Sequence, residues 1–246
     1  MILFSVLVVA QLSTGAIVAR VKEGDLKIQD LRAKVHLEIR TGDDVKTRRF
    51  DLSMKRDGVN YRALIVLAEP RAMAGTKFLV HAERGKRNKE WAYFPDLDLV
   101  RPILGKNQDD RFLGSDITYA DLAGGAHLDD LRHRLIGEET VEGEPCYVLE
   151  GTPRHRIVYG KLRGYVQKSN FITVQAAFFD HDGVLVKEAF LTDVRDLGDG
   201  VKLAHRIEVR DYKMDSTTVL TFSDVEVNQG LSEDAFRQDA LSSESR

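Results

Sequence analysis

The sequence predicts a mainly β protein: a single strongly curved antiparallel sheet, an unclosed β-barrel, with a few short helices. Three observations carry this. Apolar and polar residues alternate with period two over most of the chain, as Val35, Leu37 and Ile39 do against His36, Glu38 and Arg40. Turn dipeptides recur at hairpin spacing, at Asp57-Gly58, Asp182-Gly183 and Asp199-Gly200. No linker, low-complexity run or internal repeat divides the 246 residues, a length within reach of one large β domain. About eleven strands joined by hairpin-length connections belong to one sheet, and twist curls a sheet of that width.

The N-terminus differs from the rest. Met1 to Ala19 carry no charged residue, Ile2 to Ala10 are apolar, and Thr14-Gly15-Ala16 are small. This pattern predicts an export signal over residues 1–16, cleaved after Ala16, and a domain over residues 17–246. No Lys or Arg precedes the apolar run, which departs from the usual signal pattern. Gln11, Ser13, Thr14 and Gly15 keep the run shorter than the ~20 residues a membrane span needs. The single cysteine, Cys146, cannot form an intrachain disulfide, and in Pro145-Cys146-Tyr147-Val148 it takes the place of a small apolar strand residue.

Glu23 to Arg32 is polar and weakly periodic, which suggests a short helix leading into the first strand. Strands follow around Val35–Ile39, Phe50–Met54, Val59–Leu67, Thr76–Ala82 and Glu90–Phe94. The basic segment Arg84-Gly85-Lys86-Arg87-Asn88-Lys89 forms a loop between the last two. The alternation resumes at Leu131–Glu139, Pro145–Gly151, Gly164–Lys168 and Phe171–Asp180, then at Val184–Val194, Val201–Arg210 and Thr217–Val227. Ser232 is placed to cap a short terminal helix reaching Phe236.

Between the two series of strands, Phe112 to Leu122 interrupts the alternation. It reads as a short helix with Ser115 or Asp116 as N-cap, Ile117, Ala120 and Leu122 on an apolar side, and Gly124-Gly125 as its stop. Elsewhere, Ala63-Leu64-Ile65-Val66-Leu67 and Ala176-Ala177-Phe178-Phe179 are apolar on both faces. Both faces of those strands need cover.

Several function classes find no support. Net charge is −3 with acids and bases interspersed, which argues against nucleic acid as a partner, though a small basic docking patch is compatible. None of the seven histidines has helical zinc-site spacing; His127 and His133, flanking Asp129 and Asp130, fit a charged loop better than a metal site. Gly114-Ser115-Asp116 is not a nucleophile elbow, and no glycine-rich phosphate loop is present. No enzyme and no cofactor are expected.

Gly75-Thr76-Lys77-Phe78-Leu79, Trp91-Ala92-Tyr93-Phe94-Pro95, Arg101-Pro102-Ile103 and the central stretch from Phe112 through Gly114, Ser115, Asp116 and Tyr119 to Asp121 and Leu122 occur in this order. In that order and approximate spacing they resemble the LolA-like family of outer-membrane lipoprotein-sorting proteins. The resemblance implies a periplasmic carrier whose concave apolar side holds acyl chains under helices. It also implies a lipid or acylated protein as cargo, a membrane exporter as a further partner, and no catalytic site. The sequence does not place the family's lid-contacting arginine; Arg48 and Arg49 are both compatible with it by strand position.

Candidate lining residues, on alternation and size, are Leu37, Ile39, Phe50, Leu52, Met54, Ile65, Leu67, Phe78, Trp91 and Tyr93. Burying acyl methylenes against such a lining is worth ~0.8 kcal/mol each. Three readings follow: a monomeric lipid or lipoprotein carrier shuttling between membranes, a non-catalytic module docked on an exporter, and a hydrolase with a dispersed site. A hollow apolar interior favours the first, an exposed apolar patch the second, and converging carboxylates the third.

Overall fold

In the computed structural model, residues 12–86, 88–104, 110–122 and 128–242 are described. The apolar run from Ile2 to Ala10 and the glycines at 124 and 125 lie outside them. Helix α1, Thr14–Leu26, comes first; Ser13 caps it by accepting from the Ala16 N–H at 3.2 Å. It therefore runs through the Ala16–Ile17 boundary. The helix expected at residues 23–32 is displaced toward the N-terminus, because strand β1 already begins at Asp30.

Thirteen strands form one sheet among the described residues. They are β1 Asp30–Thr41, β2 Asp44–Asp57, β3 Asn60–Glu69, β4 Lys77–Ala82, β5 Lys89–Phe94 and β6 Leu99–Ile103. After the central segment come β7 Leu131–Val141, β8 Glu144–Pro153, β9 Lys161–Gln167 and β10 Thr173–Phe179. The last three are β11 Leu185–Asp196, β12 Lys202–Asp211 and β13 Ser216–Val227.

The order across the sheet is β6-β5-β4-β3-β2-β1-β13-β12-β11-β10-β9-β8-β7. Each named pair in this order is antiparallel, so the chain makes two meanders joined by the β1–β13 pair. The sheet does not close, because β6 and β7 are its two edges. Strand β6 goes beyond the sequence expectation; it is short and carries Pro102, which alternation does not reveal and which an edge strand tolerates.

Register fixes which residues share a face. Val35 stands between Phe50 and Phe222, and Leu37 between Arg48 and Leu220. Phe50 pairs with Leu67, Ile65 with Phe78, and Phe78 with Ala92. This row faces the interior. The opposite face of β3–β6 is covered by the chain's own C-terminus: Leu231, Phe236 and Leu241 pack on Leu64, Leu79, Trp91, Tyr93 and Val100. Three backbone N–H groups at the start of that strap, those of Gln229, Gly230 and Leu231, donate to the Asp30 carboxylate at 2.8, 2.8 and 3.2 Å. Ser232 caps the following 3-10 turn as the sequence suggests.

Candidate functional site

The central segment does not form the single helix expected of it. Phe112–Gly114 is a 3-10 turn, Ser115 to Thr118 is non-helical, with Thr118 bridged to Arg111, and only Tyr119–Leu122 is helical, forming α2. Leu113 and Gly114 have φ of 54° and 79°. That left-handed turn explains the glycine at 114, since a side chain is strained there. The cap of α2 is Thr118: its hydroxyl accepts from the Asp121 N–H at 3.0 Å while Asp121 accepts from the Thr118 N–H at 2.9 Å. Ser115 and Asp116 are therefore not the cap, because Ile117 and Thr118 separate Asp116 from α2.

The segment plugs the interior of the half-barrel. Phe112 is fully buried, its ring edge-on to Phe78 at 5.1 Å and to Phe50 at 6.2 Å. Leu113, Ile117, Tyr119 and Leu122 pack around the same group, which includes Val35, Leu37, Ile39, Ile65 and Leu67. Burial raises the Tyr119 and Tyr61 hydroxyls above the usual tyrosine range, so both stay protonated; the Tyr61 hydroxyl donates to the Leu122 carbonyl at 3.1 Å.

Two carboxylates fasten the plug to the far half of the sheet. Asp116, side chain fully buried, accepts from the hydroxyl of Ser216 and, at 2.7 Å, from that of Thr218, both on β13, and pairs with Arg111. Its own N–H donates to Thr218 Oγ1 at 2.9 Å. Asp121 pairs with the buried Lys187 of β11 at 2.9 Å, and the Tyr159 hydroxyl bonds both. Gly160, next to Tyr159, sits where a Cβ would come within 2.6 Å of the Asp180 carbonyl. The β8–β9 loop that carries Tyr159 is therefore pressed onto the β10–β11 turn.

The candidate lining residues divide. Leu37, Ile39, Phe50, Ile65, Leu67 and Phe78 do face the interior, but the plug already covers them. Leu52 and Met54 face the same way and pack with Ala33, Leu31 and Val201. Trp91 and Tyr93 do not share that face: their parity on β5 turns them outward, under the C-terminal strap. Of the two arginines, Arg48 lies opposite inward-facing Leu37, while Arg49 is exposed and pairs with Glu69 at 3.2 Å.

At the other end of the sheet, α1 covers the interior. Ile17 and Val21 pack on Leu149 and Val166, with Leu135, Tyr147 and Phe171 around them. Between plug and helix lies a less covered strip: Ile207 touches the plug's cluster at one edge, and the Phe178 ring lies 4.8 Å from that of Tyr159. Ile207 pairs with Leu191, Ala189 with Ala176, and Phe178 with Leu162, all inward-facing by register with Lys187 and Leu220. Leu162, Ala176, Phe178, Ala189, Leu191 and Ile207 are each only half-buried. On the outer side, Phe179 is covered by Lys161 and Arg163, whose charges lie 4.6 and 5.0 Å from its ring centre.

Sequence reasoning missed Lys187, Tyr159, Arg111, Ser216 and Thr218. Lys187, Ser216 and Thr218 had a signal: each is polar on the apolar parity of its strand. Tyr159 and Arg111 sit in loops and had none. Among the described residues, no group of three or more His, Cys, Asp or Glu side chains is arranged to hold a metal. His127 lies outside those residues, and His133 Nε2 bonds the Leu128 carbonyl at 2.7 Å. Also among them, no helix is long and apolar enough to cross a membrane.

No curated protein matches the chain. Solved structures do. A DUF1329 family protein from Desulfovibrio piger is 29% identical, covers 94% of this chain and 100% of its own, and has a TM-score of 0.87. A putative outer membrane lipoprotein-sorting protein domain from Vibrio parahaemolyticus is 23% identical, with 92% and 98% covered and a TM-score of 0.86. A LolA superfamily protein from Nitrosomonas europaea is 22% identical, with 93% and 99% covered and a TM-score of 0.72. A family model described as "-like: Uncharacterized protein" matches residues 60–243; the chain belongs to that family, and its fold is LolA-like.

Proposed function

We infer that the protein is a non-catalytic carrier of acyl chains, exported to the periplasm, and that the chain it carries lies along the inner face of β9–β12. The observation that carries this is the half-buried apolar strip of Leu162, Ala176, Phe178, Ala189, Leu191 and Ile207 between two covered regions. An apolar interior that the fold itself leaves partly bare is what a long aliphatic ligand fits. At ~0.8 kcal/mol per methylene, burying one acyl chain there gives substantial affinity without any polar contact. The name of the Vibrio parahaemolyticus structure, a putative outer membrane lipoprotein-sorting protein domain, supports a lipoprotein as cargo. The apolar run before α1 supports export.

The test is native mass spectrometry of protein purified without detergent, followed by titration with a fluorescent fatty acid. A mass increment matching a lipid, displaced by the probe, is expected. No bound lipid, together with no probe binding and no rise in melting temperature on adding lipid, would sink the reading.

A further inference from the structure

A second surface stands apart from the interior. Four separate pieces of chain meet at Asp129: α1, the β4–β5 loop, the turn before β7, and the β8–β9 loop. Lys22 of α1 pairs with the Asp129 carboxylate, and Arg84 Nη1 lies 3.7 Å from it. Arg154 donates through Nε to the Asp129 carbonyl at 3.3 Å and through its backbone N–H to the Asp130 carbonyl at 2.8 Å. The Asp129 side chain is only 18% exposed, whereas that of Arg84 is 55% exposed. The central acid is thus turned inward and the cations outward.

More positive charge surrounds this point. Lys86, two residues from Arg84, and Arg156, two residues from Arg154, are exposed, and the nearby Glu83 is paired with Lys86. That is a concentrated cationic face on a molecule whose net charge is −3. Beside Arg156 the same loop exposes Val158, while its neighbours are pinned: His181 Nε2 bonds the Ile157 carbonyl at 3.0 Å, and Tyr159 is buried at Lys187. A firmly seated loop therefore presents cations and an aliphatic side chain together.

We propose that this face docks on the anionic surface of a phospholipid bilayer. Phosphodiesters supply the acceptors that arginine forks fit, and an aliphatic residue beside arginines suits the boundary of headgroup and acyl chain. The cations come from three separate segments, α1, the β4–β5 loop and the β8–β9 loop, and not from one continuous strand or helix, so they match a field of phosphates better than an extended acidic peptide. Through Tyr159, the docked loop is bonded to Asp121 of the plug, which places the bilayer next to the element that covers the interior.

The experiment is flotation of the full chain with vesicles of phosphatidylcholine alone and of phosphatidylcholine mixed equally with phosphatidylglycerol. Binding to the mixed vesicles only, weakening with salt, is expected. Each removed cation should weaken it about fivefold, so Arg84→Gln/Arg154→Gln/Arg156→Gln loses roughly a hundredfold. Lys86→Glu/Arg156→Glu, which leaves the Asp129 contacts intact, should lose binding as well, with the melting temperature unchanged. Fatty-acid affinity should be the same in all variants. Equal binding to both vesicles, flotation unaltered by these substitutions, or capture by polyglutamate but not by vesicles would overturn the proposal. Loss of fatty-acid binding by the wild type would instead count against the carrier reading and leave this one standing.

Discussion

Lys187 on β11 and Asp121 in the central segment form a buried ion pair at 2.9 Å across the half-barrel, with the Tyr159 hydroxyl completing the group at 2.7 Å from the lysine. A pair this enclosed is worth little as a net gain but costs heavily when one partner is lost, since the other remains charged and desolvated. It ties the plug to β11, one strand beyond the β12 and β13 residues Ile207 and Leu220 that belong to the plug's apolar cluster.

Lys187→Met should therefore destabilise the protein by about 3 kcal/mol, while Lys187→Met combined with Asp121→Leu should recover most of that loss. Urea denaturation of the two single variants and the double variant checks it. Additive losses would show that the pair is not coupled.

Asp116→Ala should cost about 3 kcal/mol as well, well above the ~1 kcal/mol of a lost helix cap, because it strands Arg111, Ser216 and Thr218 without their shared acceptor. Thr118→Ala should cost only the smaller amount. Denaturant midpoints of the two variants decide between a buried anchor and a cap.

Phe178→Asp and Leu191→Asp should each weaken fatty-acid binding at least tenfold, since a carboxylate in the strip must be desolvated by the incoming chain. Ser53→Asp, on the opposite parity of β2, should leave binding unchanged. Circular dichroism first confirms that the variants are folded, and probe titration then reads the effect.

Trp91→Ala and Phe236→Ala should both loosen the C-terminal strap, each costing about 3–5 kcal/mol as large-to-small core changes do, without altering fatty-acid affinity. Limited proteolysis near residue 230 reports the strap, and the probe reports the interior. A fall in affinity for Trp91→Ala would return that residue to the ligand site.

His81 makes the strap sensitive to acid. Its Nε2–H donates to the Phe236 carbonyl at 2.7 Å, yet burial, aided by nearby Arg62 and Lys89, lowers its pKa below the ordinary 6.5, with Glu83 opposing. A histidine whose folded pKa is depressed binds fewer protons folded than unfolded. Its contribution is then complete above pH 6.5 and is lost as the pH falls from there through the folded value. Melting temperature should drop between neutral pH and pH 5 by less in His81→Gln than in the wild type, in a thermal-shift series.

Alternation alone determined that this chain is one antiparallel sheet, and it placed most strands, because a period of two commits every second side chain to one face. It found Leu37, Phe50, Ile65 and Phe78 as inward-facing for the same reason. Alternation says nothing about what lies against a face, and there the tertiary structure decided. Trp91 and Tyr93 alternate as well as any pair, yet a C-terminal strap from more than a hundred residues away covers their side of β5. The central segment looked like a helix because Ser115 and Asp116 are good caps locally. Ser115 instead accepts from the Ile117 N–H in a local turn, and Asp116 finds Ser216 and Thr218 a hundred residues on. Which part of the concave face stays bare depends on where the plug and α1 come to rest, and only long-range packing sets that.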